Sequence, residues 1–97
     1  MEVDGSTTPE LWVDVVAPDA CVLVTARAPA GLVAVGLVLA ELDSDKATME
    51  VPSPVDGELV WLRRAGETLR RGDVIARVRR CEVPARLHAL VAVERAR

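Results

Sequence analysis

From residue 11 onward the chain alternates short apolar runs with turn residues. Leu11-Trp12-Val13-Asp14-Val15-Val16 is strand-sized and stops at the turn pair Pro18-Asp19. Cys21 to Arg27 predicts a second strand, closed by the turn Ala28-Pro29-Ala30-Gly31. The most apolar window, residues 30–40, is punctuated by Gly36 and reads as buried strand and turn. Val38-Leu39-Ala40-Glu41-Leu42 and Thr48-Met49-Glu50-Val51 predict two further strands. The second alternates cleanly, with Met49 and Val51 on one face and Thr48 and Glu50 on the other. The polar stretch Asp43 to Lys46 lies between them, and Ser44 and Asp45 are turn formers, so the two strands predict a β-hairpin with Lys46 at its tip. Gly57 to Arg63 predicts a strand with Leu59 and Trp61 on one face, Trp61 serving the core, and Val60 and Leu62 on the other. Val74 to Arg79 predicts the last strand, with its arginines outward.

This pattern divides the chain into a flexible N-terminus at residues 1–10, one β domain at 11–80 and a C-terminal tail at 81–97. Within the tail, Pro84 is placed to open a helix with Leu87, Leu90 and Val91 on one face. His88 has no cysteine, acid or second histidine clustered with it there and reads as an ordinary exposed or packed side chain. Ala30-Gly31 with Gly36-Leu37-Val38-Leu39-Ala40 resembles Ala65-Gly66 with Gly72-Asp73-Val74-Ile75-Ala76. Such a weak internal repeat suits a domain built from two similar β halves.

Composition narrows the picture. The chain is 51% hydrophobic with no Phe or Tyr, so valine, leucine and alanine must fill the core of an all-β domain. The net charge of −3 argues against nucleic acid as the main partner. The charge is uneven: nine acids against two bases give −7 over residues 1–50, and six acids against ten bases give +4 over residues 51–97. An acidic surface around Lys46 follows, with arginines on the later strands and the tail. Cys21 and Cys81 have neither CxxC nor metal-ligand spacing and read as ordinary thiols of a cytoplasmic protein. The apolar window at 30–40 is about half the ~20 residues a membrane helix needs, so no membrane partner is expected.

Lys46 is the only lysine among twelve basic residues. A lysine amine can lose a proton and attack an activated acyl group, whereas a guanidinium stays charged. Side-chain acylation therefore has one available site. No Ser-His-Asp relay, phosphate loop or paired-carboxylate site is legible, so no catalytic site is expected in this chain.

The stretch Ser44-Asp45-Lys46-Ala47-Thr48-Met49-Glu50-Val51-Pro52-Ser53-Pro54, with Gly57 after it and Gly72-Asp73 downstream, resembles the lipoyl-attachment signature of 2-oxoacid dehydrogenase complexes. The likeness runs from about Leu11 to Arg79. It implies a flattened barrel, or sandwich, of two antiparallel sheets with quasi-twofold symmetry, the modified hairpin lying opposite the termini. It implies lipoic acid in amide linkage to Lys46, with Asp45 and Ala47 as recognition context. The implied partners are a lipoate ligase or lipoyl transferase, a thiamine-diphosphate 2-oxoacid decarboxylase, a dihydrolipoamide acyltransferase and a dihydrolipoyl dehydrogenase. Asp43, Asp45 and Glu50 either steer such partners or keep the hairpin soluble. A biotin carrier shares the fold, but those domains typically place methionines on both sides of the lysine. A glycine-cleavage carrier is generally longer and lacks Pro-Ser-Pro, and an unmodified β docking module is the remaining alternative. The first half departs from the family's Gly-Asp pattern at Gly31-Leu32 and Gly36-Leu37. Local shifts bury those leucines, or they form an exposed patch for a partner or for a homo-oligomer. With no linker-like run at its end, the chain reads as a free-standing carrier.

Overall fold

The computed structural model describes residues 11–96; the N-terminal segment expected to be flexible, residues 1–10, lies outside the described residues. Eight strands and one helix follow in order: β1 Trp12–Val16, β2 Cys21–Ala26, β3 Gly31–Val33, β4 Val38–Asp43, β5 Thr48–Pro52, β6 Gly57–Trp61, β7 Thr68–Leu69, β8 Val74–Arg80 and α1 Ala85–Arg95. They form two four-stranded antiparallel sheets, ordered β1-β8-β6-β3 and β5-β4-β2-β7. The expected sandwich of two antiparallel sheets is the observed architecture.

Advancing every strand number by four, cyclically, turns the first sheet into the second. Trp12 and Thr48, Cys21 and Gly57, and Val38 and Val74 begin corresponding strands, each pair 36 residues apart. Turn hydrogen bonds repeat with the same offset. Ala17 N–H donates to Asp73 O at 2.9 Å and Gly72 N–H to Ala17 O at 2.8 Å. In the other half, Ser53 N–H donates to Leu37 O and Gly36 N–H to Ser53 O, both at 2.8 Å. Gly36 and Gly72 adopt φ of 90° and 88°, a left-handed conformation that glycine enters without steric cost. Ser53 of the Pro-Ser-Pro segment is buried, and its hydroxyl donates to Val55 O at 2.7 Å.

Bulges also repeat. The β4–β5 register shifts between Val38 and Ala40, and that of β1–β8 between Val15 and Val16. Consecutive residues Leu39-Ala40 and Ile75-Ala76 are consequently all buried, which simple alternation forbids. Two core clusters result. One centres on Val33, Leu39, Leu59 and Val78, the other on Leu23, Leu42, Leu69 and Ile75. Trp61 packs against both and donates Nε1–H to Ala28 O at 2.8 Å, the core role expected of it.

Several expectations need correction. Gly31 opens β3 instead of closing a turn, and the repeat aligns it with Glu67, not Gly66. Leu32 lies on a strand and is exposed opposite Glu58, whereas Leu37 packs against the first core cluster. The two leucines therefore do not form one exposed patch. Asp73 shows why the halves differ: its carboxylate accepts Arg70 N–H at 2.8 Å, and Leu37 in the matching turn contributes packing instead.

In α1, Val91 is buried, Leu87 half-buried and Leu90 exposed, so only part of the face they share is covered. Leu90 and Val91 diverge by about 100° around the helix axis, and the contact is narrow enough to take only Val91 fully. A Cβ on Gly36 would meet Val91 Cγ1 and Arg95 Nη2 at 3.2 Å each. His88 Nε2 lies 2.9 Å from Asp56 Oδ2, so the fold supplies the acid that the neighbouring sequence lacks. Asp56 Oδ1 also accepts Val35 N–H at 2.8 Å. These two contacts, the amide first, hold the Asp56 carboxyl below its ordinary 3.8. Asp56 thus stabilises the folded chain above that ordinary value, and its contribution fades as pH falls through the lowered one. Chemical denaturation of wild type and Asp56→Asn along a pH series is expected to show a gap at neutral pH that closes below pH 3.8. A gap that widens in acid would contradict this.

Cys21 is buried, and burial, then Asp19 and Asp73, raise its thiol pKa. Cys81 is half-buried, and both thiols are free. Iodoacetamide at pH 8 is expected to label Cys81 and to reach Cys21 only in denaturant. Equal labelling of both in the native protein would contradict the burial of Cys21.

Candidate functional site

The β4–β5 hairpin carries Lys46 outward on a four-residue tip, Ser44 to Ala47. Ser44 organises that tip. Its backbone N–H donates to Ala47 O at 3.0 Å, and its hydroxyl donates to the same oxygen at 3.1 Å. The hydroxyl also accepts the N–H groups of Lys46 and Ala47, each at 3.2 Å. A short polar side chain that bonds its own turn replaces the missing ladder partners and stiffens the bend. Below it, Thr48 pairs with Asp43, and Met49 turns inward against the second core cluster.

Asp45, Lys46 and Ala47 are all exposed. Because Ala47 is small and the backbone is held by Ser44, the amine stands clear of its own domain. An acyl chain in amide linkage fits here without displacing anything. The pseudo-twofold exchanges this tip with the junction where β8 ends and β1 begins, so tip and junction lie on opposite sides of the axis.

The neighbouring acids divide. Asp43 accepts a long hydrogen bond from Thr48 Oγ1 at 3.4 Å, and Asp45 faces solvent. Glu50 is different: Arg27 Nη1 lies 3.2 Å from it and 3.4 Å from Glu41, while Arg27 Nη2 lies 3.6 Å from Glu94 of α1. Glu50 therefore belongs to a charge node at mid-hairpin, not to the tip. That node was not legible in the sequence, because it depends on Glu41 facing Glu50 across the ladder. It borders a cleft of about 400 Å³ lined also by Val38, Pro52 and Arg95, at the base of the hairpin away from Lys46. Among the described residues no three His, Cys, Asp or Glu side chains gather as a metal site, and no helix is long and apolar enough to cross a membrane.

Two symmetry-related sheets that hold the lysine amine out on a braced bend are the arrangement of a covalent carrier domain, a scaffold that presents a cofactor. Residues 13–78 match the biotin/lipoyl family, described as "Biotin-requiring enzyme", and the chain belongs to that family. The cofactor of such a domain is a small molecule held covalently, biotin or lipoate. No curated protein matches the chain. Among solved structures, one described as a single-chain, multi-domain long-chain acyl-CoA carboxylase superposes with a TM-score of 0.67 over 95% of this chain at 18% identity. This chain spans 9% of that carboxylase's length. At such identity the likeness concerns the fold.

Proposed function

We propose that Lys46 is the attachment residue and that this domain is a lipoyl carrier serving a cytoplasmic 2-oxoacid dehydrogenase complex. The observation that carries the reading is local. The chain's only lysine sits exposed on the hairpin tip between Asp45 and Ala47, with no methionine on either side of it. Its amine supplies the amide nitrogen, Ser44 fixes the direction in which the side chain leaves, and Asp45 and Ala47 give a ligase its local context. Lipoate, when bound, supplies a dithiolane able to take up acyl groups and electrons. The domain in turn keeps the arm at high effective concentration near each partner active site. Those partners are a lipoate ligase or lipoyl transferase, a thiamine-diphosphate decarboxylase, a dihydrolipoamide acyltransferase and a dihydrolipoyl dehydrogenase.

A second reading has its own support. The family description and the acyl-CoA carboxylase neighbour favour biotin on the same lysine, with carboxylase partners. The two separate in one experiment. Purified protein is incubated with ATP and either lipoate plus lipoate ligase or biotin plus biotin ligase, and intact masses are recorded. A lipoyl adduct alone supports the first reading, and a biotinyl adduct alone replaces it with the second. No adduct in either reaction leaves an unmodified docking module.

A further inference from the structure

The end of the domain that presents Lys46 also presents Arg70 and Arg71. Thr48, Asp43, Val22 and Thr68 stand in one register row across β5, β4, β2 and β7. β4 runs toward the hairpin tip, β2 runs back from it and β7 runs toward it again. Beyond this row, then, come the tip on one side and the Arg70-Arg71-Gly72 turn on the other. Two and a half strand spacings separate them laterally, about 12 Å.

That turn needs glycine and not arginine. Its pseudo-twofold counterpart is Ala34-Val35-Gly36, which keeps the same φ and the same hydrogen bond to the facing loop with no charge at all. In the arginine-bearing copy the fold engages only the Arg70 backbone: its N–H donates to the Asp73 carboxylate at 2.8 Å and its carbonyl accepts Asp73 N–H at 3.0 Å. Both arginines are exposed, and neither guanidinium has a hydrogen-bond or ion-pair partner among the described residues. The Lys46 end is therefore mixed in charge, acidic at Asp43 and Asp45 on the tip side, with the free guanidinium groups of Arg70 and Arg71 beside Asp19 and Asp73 on the other.

A standard protein interface covers about 800 Å² on each partner, a disc of about 16 Å radius. Any ligase that draws the Lys46 amine into its active site with such a footprint reaches the Arg70-Arg71 turn. Guanidinium groups pair with carboxylates in a planar fork. Resting on the carrier reading, we infer that Arg70 and Arg71 form a docking site for an acidic rim on the ligase that modifies Lys46. They orient the domain by charge, with Asp45 placed toward the opposite side of the entrance.

The test uses whichever of lipoate ligase or biotin ligase modifies the wild type, with Lys46 modification rates read by intact mass. Arg70→Glu/Arg71→Glu is expected to lower kcat/KM at least tenfold at low salt, chiefly through KM. The deficit should shrink several-fold in 0.5 M NaCl. Arg70→Lys/Arg71→Lys should retain most of the rate, and Arg70→Ala/Arg71→Ala should fall between, which separates lost attraction from damage by the new acids. Arg80→Glu/Arg86→Glu makes the same change in net charge, with Arg80 at the β8 end that the pseudo-twofold sets opposite the tip, and should stay within threefold of wild type. Wild-type kinetics in the Arg70→Glu/Arg71→Glu variant would overturn the docking site, as would an equal loss in the control. A wild type that neither ligase modifies would overturn the carrier reading, and the docking site with it.

Discussion

Replacing Lys46 with arginine is expected to abolish covalent loading completely while leaving the domain as stable as before. Arginine keeps the charge and much of the length of the side chain, so it preserves whatever the tip's electrostatics contribute. What it loses is the capacity to deprotonate and act as an acyl acceptor. No other side-chain amine exists in the chain to take over. Lys46 is exposed, and the bonds that brace the tip come from Ser44 and the backbone, so the fold does not depend on its amine. The thermal midpoint of Lys46→Arg should match wild type, since exposed substitutions of this kind usually fall within about 0.5 kcal/mol. An adduct on the Lys46→Arg protein, seen by intact mass after ligase treatment, would mean that another group is the acceptor.

Gly57→Ala is expected to be the most damaging conservative change in the β domain. Gly57 opens β6, is buried, and pairs with Val33 on one side and Arg80 on the other. A Cβ built there collides with the Arg79 carbonyl oxygen and lies 2.8 Å from both the Arg79 carbonyl carbon and Val78 Cγ1. Two of those three atoms are backbone in the middle strand pair, so no rotamer change relieves the overlap. Overpacking typically costs 1–3 kcal/mol, and an obstacle of backbone places this case at about 3 kcal/mol. For a domain of this size that lowers the thermal midpoint by roughly 12–24 °C. Gly66→Ala is the informative comparison. Its φ is 96° but nothing lies within 4 Å of the added carbon, so only backbone strain of about 1–2 kcal/mol remains. Equal losses at the two glycines, measured by thermal or urea unfolding, would contradict the steric account of Gly57.

The long strands were legible because their apolar residues recur at period two and their ends carry Gly, Pro, Ser or Asp. β5 is the clearest case, with Met49 and Val51 inward and Thr48 and Glu50 outward. β3 and β7 were not legible, since three and two residues are too few to display an alternation. The bulges hid themselves in a related way. Consecutive buried pairs at Leu39-Ala40 and Ile75-Ala76 look like a plain apolar run until the partner strand is known. The hairpin around Lys46 could be read because Ser44 and Asp45 signal a turn in their own right. Arg27 with Glu41, Glu50 and Glu94, and Asp56 with His88, could not. Those partners are brought together by register and by the docking of α1, and nothing local announces either. Leu90 failed for the opposite reason: its spacing suits a helix face, but the surface that receives α1 is narrow and is filled by Val91.

The shared 36-residue offset also separates what the fold requires from what function adds. Gly36 and Gly72, the paired turn bonds and the two bulges recur in both halves and are explained by folding alone. Other features occur in one half only. The register shift between Leu23 and Thr25 and the Asp73 carboxylate bond still serve the fold. Lys46 on its tip and the arginine pair at residues 70 and 71 contribute nothing to it that the other half lacks, and it is on these that the proposed function and docking site rest.

We propose that the Lys46 amine is loaded in the cell. Its most direct test is the mass of the protein purified from its natural host, followed by tryptic mapping of the segment between Arg27 and Arg63. One lipoyl adduct, confined to Lys46, is the predicted result. An unmodified mass in every preparation, or an adduct on any other residue, would contradict it.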